Sequence, residues 1–260
     1  MGTGADGFAA RGDARIHYSV AGDGQGPLPL LLTHGFSASS AMWEANLADL
    51  AASRRVVTWD IRGHGRTVVS AEPESYSQDA SVEDMAVVLD ECGIRSAAIG
   101  GLSLGGYLSL AFYNRFPERV RALLLFDTGP GYRNDEGRRD WNNYAISQAE
   151  RFENAGLEAL GNSPEVQHGD HDPVGLALAA RHILTQHGPE IIESLGSIAV
   201  PTLVLVGERD RAFLKAADYM AGHIPGAQKV VLPGAGHAAN IDQPEAFNQA
   251  VERFLAGLAD

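Results

Sequence analysis

A serine flanked by glycines carries the first chemical signal in the chain. Ser103 lies in the segment 100–106 (Gly-Gly-Leu-Ser-Leu-Gly-Gly), between an apolar segment at 97–99 and a helical pattern that begins at 107. Glycines two residues to either side permit a tight turn, because they remove Cβ atoms that would collide there. Such a turn lifts the hydroxyl over a sheet edge at a helix N-terminus, where amides favour negative charge. We therefore predict that Ser103 is a nucleophile that attacks a carbonyl carbon.

A serine hydroxyl is a weak nucleophile, so it needs a base, and the base needs a carboxylate to orient it. His237 is the predicted base, because it follows the last predicted strand in a glycine-rich loop late in the chain. Asp210 is the predicted acid, since it follows the strand predicted at 202–207. Asp127 and Glu208 also lie at strand ends and stay open as alternatives to Asp210.

Attack on a carbonyl creates a negatively charged oxygen, which needs hydrogen-bond donors that are already in place. The backbone amide of Leu104 is one predicted donor, because it follows the nucleophile at the start of a helix. The amide of Phe36 is the second, in the His-Gly-Phe turn after the strand predicted at 28–33. We expect the His34 ring to hydrogen-bond the loop backbone, with a place in the substrate pocket as the alternative.

The elements that position these residues alternate between strand and helix patterns. A hairpin is predicted at 7–21, and short apolar runs predict buried strands. Helical patterns separate them, and one, at 81–91, would begin with a capping box formed by Ser81 and Asp84. The prediction is a doubly wound, mostly parallel eight-stranded α/β sheet with helices on both faces, which binds ligands at the carboxyl ends of its strands. The predicted strands after the hairpin are 28–33, 55–60, 97–99, 120–127, 202–207 and 228–232.

The alternation stops between residues 129 and 198, where we predict a helical lid inserted between two parts of the core, 1–128 and 199–260. Helices are expected near 136–155, 174–187 and 189–195. Aromatic residues of the insertion are candidates for the substrate pocket, although they could instead bury the lid against the sheet. Its histidines lack a pattern that converges on a metal ion, so we predict no metal. The pocket candidates are Tyr132, Trp141 and Tyr144; the histidines are His168, His171, His182 and His187.

Composition excludes several classes of partner. The 260-residue chain has a formal net charge of -13, which argues against nucleic acid and against an anionic membrane. No apolar stretch approaches the roughly 20 residues that span a bilayer, and the N-terminus shows no secretory signal. The single cysteine, Cys92, excludes an internal disulfide. We expect a cytoplasmic protein, monomer or homodimer, that needs no cofactor and acts on a small molecule.

Taken together, these segments resemble the α/β-hydrolase fold superfamily over essentially the whole chain. The resemblance rests on residues 34–36, 60–66, 101–105, 207–210 and 236–237. It implies the order nucleophile, acid, base that Ser103, Asp210 and His237 follow, a mostly structural turn at 60–66, and a lid at the helical insertion. Serine at 103 disfavours the dehalogenases and epoxide hydrolases of the superfamily, which use aspartate there.

The resemblance favours a serine hydrolase that cleaves a small carboxylic ester or lactone through an acyl-enzyme intermediate. Esterase and lactonase members are the most similar in the amino-acid sequence of the serine turn and in the size of the insertion. Two alternatives stay open. One is hydrolysis of a carbon–carbon bond in a vinylogous diketone by the same three residues, and the other is a receptor that holds a ligand beneath the lid.

Overall fold

The computed structural model describes residues 5–23, 26, 28–167 and 169–258. Within these residues, eight strands form one sheet in the order β1-β2-β4-β3-β5-β6-β7-β8. The strands are β1 (Ala5–Arg11), β2 (Ala14–Ala21), β3 (Leu30–Thr33), β4 (Val56–Trp59), β5 (Ala97–Leu102), β6 (Val120–Phe126), β7 (Thr202–Gly207) and β8 (Gln228–Leu232).

The sheet is parallel except at one end. β1 and β2 form an antiparallel hairpin, and β2 runs antiparallel to β4. From β4 through β3, β5, β6, β7 and β8 every pairing is parallel. Consequently, the carboxyl ends of these six strands lie along one edge, where the loops with Phe36, Ser103, Asp127, Asp210 and His237 begin. The predicted eight-stranded, mostly parallel α/β sheet is confirmed.

Helices cover both faces because side chains alternate along each strand. On one face Leu31, Ile99 and Leu123 pack with the helices at 78–91, 104–115 and 214–223. On the other face Leu30 and Leu124 pack with the helices at 44–50 and 244–256. The nine α-helices in the described part of the chain are α1 (Glu44–Leu50), α2 (Gln78–Glu91), α3 (Leu104–Arg115), α4 (Asp135–Ala155), α5 (Pro173–His182), α6 (Glu190–Ser194), α7 (Leu214–His223), α8 (Ala239–Asp242) and α9 (Pro244–Ala256).

The predicted start of α2 was wrong. The side chain of Ser77 caps this helix and accepts a hydrogen bond from the Ala80 amide at 3.0 Å. Ser81 lies inside the first turn, and its hydroxyl donates to the Ser77 carbonyl at 3.0 Å. Asp84 is buried and accepts two hydrogen bonds from Arg62, from Nε at 2.6 Å and from Nη2 at 2.9 Å. A buried ion pair with Arg62 therefore replaces the predicted capping box.

Between β6 and β7 the described residues contain helices and turns but no strand. α5 ends at His182, five residues before the predicted end, because side chains of α4 bind the chain that follows. The Trp141 indole N–H donates to the Leu184 carbonyl at 2.7 Å. The Asn142 side chain accepts from the Gln186 amide at 2.7 Å and donates to its carbonyl at 2.8 Å.

None of the helices in the described ranges combines the length and the apolar character that crossing a membrane requires.

Candidate active site

Ser103 occupies a strained turn between β5 and α3. Its backbone φ is +53° and ψ is -113°, a conformation that residues with a Cβ atom seldom adopt. The surrounding structure holds it there, since the Ser103 amide donates to the Phe126 carbonyl at 2.9 Å. The Thr128 hydroxyl donates to the Ser103 carbonyl at 2.6 Å. Both anchors lie on the chain of β6 and its following loop, so the neighbouring strand fixes the turn.

The glycines on either side are required by close backbone contacts. A Cβ atom on Gly105 would lie 2.2 Å from the Thr33 carbonyl oxygen, and one on Gly101 would lie 2.6 Å from the same oxygen. Real Cβ atoms do not approach backbone this closely. α3 therefore packs directly on the end of β3, which brings the Ser103 turn beside the loop that contains Phe36.

Asp210 and His237 are in direct contact. Nδ1 of His237 donates to Oδ2 of Asp210 at 2.7 Å. The Asp210 side chain is almost fully buried, whereas about a third of the His237 side chain is exposed. The His237 ring stacks on Phe213, with ring centroids 5.1 Å apart. Since Nδ1 is held by Asp210, Nε2 is the nitrogen available for proton transfer.

The proton affinity of His237 reflects two opposing effects. Burial disfavours the charged ring and lowers its pKa, but the hydrogen bond and the negative charge of Asp210 outweigh burial. The net result is a pKa of His237 above its ordinary value. The site therefore stabilises the imidazolium form more than water does.

Glu208 and Asp127, the two alternatives to Asp210, have surroundings that differ from those of Asp210. Glu208 is exposed, and its carboxylate accepts a hydrogen bond from the Gly234 amide at 2.9 Å, away from His237. Asp127 is fully buried directly after β6, where its Oδ1 accepts from the Gly207 amide at 2.7 Å. Asp210 is thus the acid bonded to His237, with Asp127 as its buried neighbour.

Two buried histidines shape the loop that contains Phe36. His34 is fully buried; its Nε2 accepts from the Ile61 amide at 3.0 Å, and its Nδ1 donates to the Gly35 carbonyl at 2.7 Å. His64 Nε2 accepts from the Ser37 amide at 3.1 Å. With both ring nitrogens bonded to backbone, His34 supports the loop from beneath and is not among the residues that line the cavities at Ser103.

Asp60 anchors the turn at 60–66 beneath this loop. Its carboxylate accepts from His17 Nδ1 at 2.8 Å, from the Ser40 amide at 2.7 Å and from the Arg66 amide at 2.9 Å. Burial alone raises the pKa of Asp60, but the hydrogen bond from His17 and those from the backbone lower it well below its ordinary value. Asp60 thus remains charged and ties this turn to β2 and to the short 3₁₀ helix, Ser40–Trp43, that precedes α1.

Ser103 lies where two cavities meet. One has a volume of about 280 Å³ and is lined by Leu104, Tyr107 and Thr128. The other has a volume of about 550 Å³ and is lined by Phe36, Ser37 and His237. Both are also lined by a shared set of side chains from the helical segment and the loop before α7. The shared set is Tyr132, Trp141, Leu184, Ala212 and Phe213.

The predicted pocket aromatics lie at these cavities. Tyr132 and Trp141 line both, and Tyr144 lines the larger one. Their rings form a row, with centroids 6.3 Å apart for Tyr132 and Trp141 and 5.4 Å apart for Trp141 and Tyr144. Tyr132 and Tyr144 are about half exposed, so the row lies at the mouth of the site rather than in the core.

The described histidines of the helical segment do not converge on a metal site. His168 lies outside the described residues, and His171 Nε2 bonds the Val166 carbonyl at 3.2 Å. Among the described residues, no group of three or more His, Cys, Asp or Glu side chains is placed to hold a metal ion.

Two residues that contact Ser103 or His237 were not predicted from the sequence. Thr128 holds the carbonyl of Ser103, and Phe213 stacks on His237. Neither has a distinctive spacing, although both lie within three residues of an acidic residue at a strand end. Apart from that proximity, nothing in their sequence positions marks Thr128 or Phe213 as site residues.

The fold and the residues gathered at its edge define a class of protein. Residues 30–250 match the alpha/beta hydrolase family, and the chain belongs to that family. The resemblance drawn from the sequence is confirmed.

Individual relatives extend over nearly the same length. The chain is 30% identical to the carboxylesterase YbfK of Bacillus subtilis (strain 168), covering 94% of this chain and 85% of that protein. It is 26% identical to the 3-oxoadipate enol-lactonase 1 of Acinetobacter baylyi, covering 88% and 89%. A structure of a thermophilic esterase from Thermogutta terrifontis is similar with a TM-score of 0.83 and 27% identity, covering 99% of this chain and all of that one.

Proposed function

We propose that this protein is a serine hydrolase that cleaves a small carboxylic ester or lactone through an acyl-enzyme intermediate. One observation carries the proposal: His237, bonded to Asp210 at 2.7 Å, lines the same cavity as the strained Ser103. Nucleophile, base and acid are the three groups that acyl transfer to water requires. The carboxylesterase and enol-lactonase relatives support the same chemistry.

In the proposed first step, the Ser103 hydroxyl oxygen attacks the carbonyl carbon, and its proton passes to Nε2 of His237. The carbonyl oxygen becomes an oxyanion. When this intermediate collapses, the bond to the alcohol oxygen breaks, and His237 returns the proton to that oxygen. His237 then takes a proton from a water molecule, whose oxygen attacks the acyl carbon. The bond between that carbon and the Ser103 oxygen breaks, the serine oxygen takes the proton from His237, and the acid is released. Asp210 stays ionised throughout, holding the imidazole and stabilising its charged form.

The amides of Leu104 and Phe36 are the proposed donors to the oxyanion. Leu104 is the first residue of α3, so its amide has no carbonyl of an earlier turn to bind. The Phe36 loop is fixed by the buried rings of His34 and His64. Donors held this way need no rearrangement when the charge develops, and removing one typically costs about 3–4 kcal/mol of transition-state stabilisation.

The two cavities supply a proposed division of the substrate. The alcohol must lie close to His237, which protonates it, so the alcohol portion belongs in the larger cavity. The acyl portion then enters the cavity of about 280 Å³, with apolar side chains such as Leu104 and Ile192. Ligand pockets typically measure about 300–1,000 Å³, so this volume favours a small acyl group. By this assignment, residues 129–198 act as a lid, because Tyr132, Trp141 and Leu184 line both cavities.

Replacing the nucleophile tests the proposal. Ser103→Ala is expected to reduce kcat for short-chain p-nitrophenyl esters by at least about 10⁴-fold, because no acyl-enzyme can form. A fluorophosphonate probe should label the parent protein and not the variant. Ser197→Ala, at an exposed serine far along the chain, is the matched control and should behave as the parent. Undiminished turnover or labelling in Ser103→Ala would remove the assignment.

The same assay separates the other chemistries. The parent is compared on a panel of esters, lactones and vinylogous diketones. If only the diketones are turned over, the proposal of ester cleavage is wrong, and the same residues hydrolyse a carbon–carbon bond instead. Turnover much slower than ligand dissociation on the whole panel would favour a receptor.

A further inference from the structure

Backbone strain marks three positions around the proposed site. Among the described non-glycine residues, positive φ occurs at Ser37 (+59°), Ser103 (+53°) and Asp127 (+44°). Such conformations are costly for residues with a Cβ atom, and they persist where the surrounding structure enforces them, often at functional sites. Ser37 adjoins the proposed oxyanion donor Phe36, and Ser103 is the proposed nucleophile. Asp127 alone has no part in the proposed reaction, so its placement needs an explanation.

The chain of Asp127 is fixed at the junction of β6 and β7. Its amide donates to the Leu205 carbonyl at 2.9 Å, and its Oδ1 accepts from the Gly207 amide at 2.7 Å. The Gly207 carbonyl in turn accepts a hydrogen bond from the Asp210 amide at 3.1 Å. One residue at the end of β7 thus joins the Asp127 carboxyl to the turn that holds Asp210.

The second oxygen of Asp127 has no donor. Oδ2 is fully buried, and no N–H or O–H of the described residues bonds to it. The Asp127 carboxyl nevertheless lies within hydrogen-bonding reach of the Asp210 carboxyl. Two ionised carboxylates cannot bond each other, because both only accept, and their charges repel. A proton on one of them removes the conflict, and Asp210 is the one already bonded to His237.

The electrostatic surroundings place that proton on Asp127. Burial away from water raises the pKa of Asp127, and the negative charge of Asp210 raises it further, to about 8. The hydrogen bond from the Gly207 amide and the nearby His237 act in the opposite direction and do not overcome burial. At neutral pH the Asp127 carboxyl is therefore mainly uncharged and has an O–H to donate.

We propose that Asp127 is a positioning residue, a neutral carboxylic acid that donates a hydrogen bond to Asp210 and so holds the carboxylate that orients His237. The inference rests on the proposed function, because it assigns Asp127 a part in that reaction. Asp127 keeps its proton throughout and exchanges nothing with the substrate.

Ionisation of Asp127 would disturb the arrangement in two ways. The hydrogen bond to Asp210 would be lost, and two negative charges would face each other in a buried space. The extra charge would also raise the pKa of His237, so the imidazole would hold its proton more tightly when the alcohol must receive it. Activity should therefore fall as the pH rises through about 8.

Few other titratable groups surround Asp127. The adjacent strands, β5 and β7, contain none in their sequences. α3 contributes Tyr107 near the site, where burial raises the tyrosine pKa to about 12, so it stays neutral. Asp210 and His237 are the groups whose charges act on Asp127.

Two substitutions at Asp127 separate positioning from structural support. Asp127→Ala removes the donor, and we expect kcat to fall about 10- to 100-fold with KM nearly unchanged, since small misplacements of catalytic groups cost this much. Asp127→Asn keeps a neutral side chain with a donor and an acceptor, so it should recover most of the loss and lack the decline near pH 8. Glu208→Gln, which removes a charge at the same sheet edge, is the control and should keep that decline.

Each contrary result would overturn the inference. An Asp127→Asn variant no more active than Asp127→Ala, or one that retains the alkaline decline, would show that the carboxyl only supports the fold. An Asp127→Asn variant as inactive as Asp210→Asn would make Asp127 the acid of the reaction instead.

A second readout is independent of turnover. The ring signals of ¹⁵N-labelled His237 are followed by NMR from pH 6 to 10 in the parent and in Asp127→Asn. We expect an additional step near pH 8 in the parent alone. Its absence from the parent would refute the inference even where Asp127→Ala fails to fold. If the step is present but no ester is cleaved, the proposed function fails while the pairing of Asp127 with Asp210 stands.

Discussion

The contact between Asp210 and His237 sets both the orientation and the proton affinity of one imidazole. The hydrogen bond of 2.7 Å fixes the proton on Nδ1 and leaves Nε2 as the nitrogen that would act as the proposed base. The same contact raises the pKa of His237 against the opposing effect of burial. Both effects depend on a carboxylate, because an amide of the same shape can present its N–H to the ring and favour the other tautomer.

Asp210→Asn tests both effects in one variant. We expect kcat to fall by about 10⁴-fold, the cost of holding the wrong tautomer. The pKa of His237 should also fall, because the charge that raised it is gone, so the acid limb of the residual pH–rate profile should move to lower pH. Ester hydrolysis measured from pH 5 to 9 checks both. A profile unmoved from that of the parent would mean that another group supplies the charge.

The carboxyl edge of the sheet brings the site together because consecutive parallel strands end at the same level. α3 begins at that edge and lies so close to β3 that only glycine fits at the contact. This is a constraint on an element, since Gly105 touches the backbone of a strand and takes no part in any chemistry. The position of Ser103 thus depends on how α3 packs.

Gly105→Ala is therefore expected to destabilise the fold and displace the serine turn together. A Cβ atom 2.2 Å from the Thr33 carbonyl oxygen must push α3 away from β3. The free energy of unfolding should fall by about 1–3 kcal/mol, the usual cost of forcing extra atoms into a packed interior. Urea denaturation followed by circular dichroism measures it.

Gly222→Ala is the matched control for this change. Gly222 lies in α7, and an added Cβ atom there would meet nothing within 4 Å. Alanine at that position should leave stability unchanged or raise it by up to about 1 kcal/mol, because it favours the helix. Equal losses in both variants would contradict the packing argument.

Much of the fold could be predicted because the parallel strands are short apolar runs that end in glycine or polar residues. The strands predicted at 202–207 and 228–232 agree with the structure residue for residue. Once the strands are known, the ends that carry Ser103, Asp210 and His237 must share an edge. The candidate residues could therefore be predicted from the local strand patterns together with one rule of sheet topology.

What could not be predicted depends on contacts between distant parts of the chain. Ser77 and Ser81 are both suitable helix caps, and the choice is settled by Arg62, which draws Asp84 into the interior. Similarly, the early end of α5 results from side chains of α4. The proposed pairing of Asp127 with Asp210 joins loops 83 residues apart, and the positions of the two residues at strand ends do not by themselves predict that the carboxyls meet.

At the scale of the whole molecule, buried neutral histidines connect the site to stability. His34 and His64 lie beneath the Phe36 loop, with tilted rings whose centroids are 5.1 Å apart. Burial lowers the pKa of His34, and it lowers that of His64 to about 3. In the unfolded chain these rings bind protons near pH 6.5. Between about pH 6.5 and pH 3 the unfolded state therefore binds more protons, so stability is lost as the pH falls.

His64→Gln measures this contribution, because a glutamine side chain can accept the hydrogen bond from the Ser37 amide but does not titrate. For one histidine protonated only when unfolded, the free energy of unfolding falls by about 1.4 kcal/mol for each pH unit below 6.5. Between pH 7.5 and 5.0 the variant should thus lose about 2 kcal/mol less than the parent, whatever its stability at pH 7.5. Urea denaturation at both pH values gives the difference, with His223→Gln, at the exposed end of α7, as the control. If the parent and His64→Gln lose stability equally, acid sensitivity does not arise from this buried ring, and other groups must supply the protons bound on unfolding.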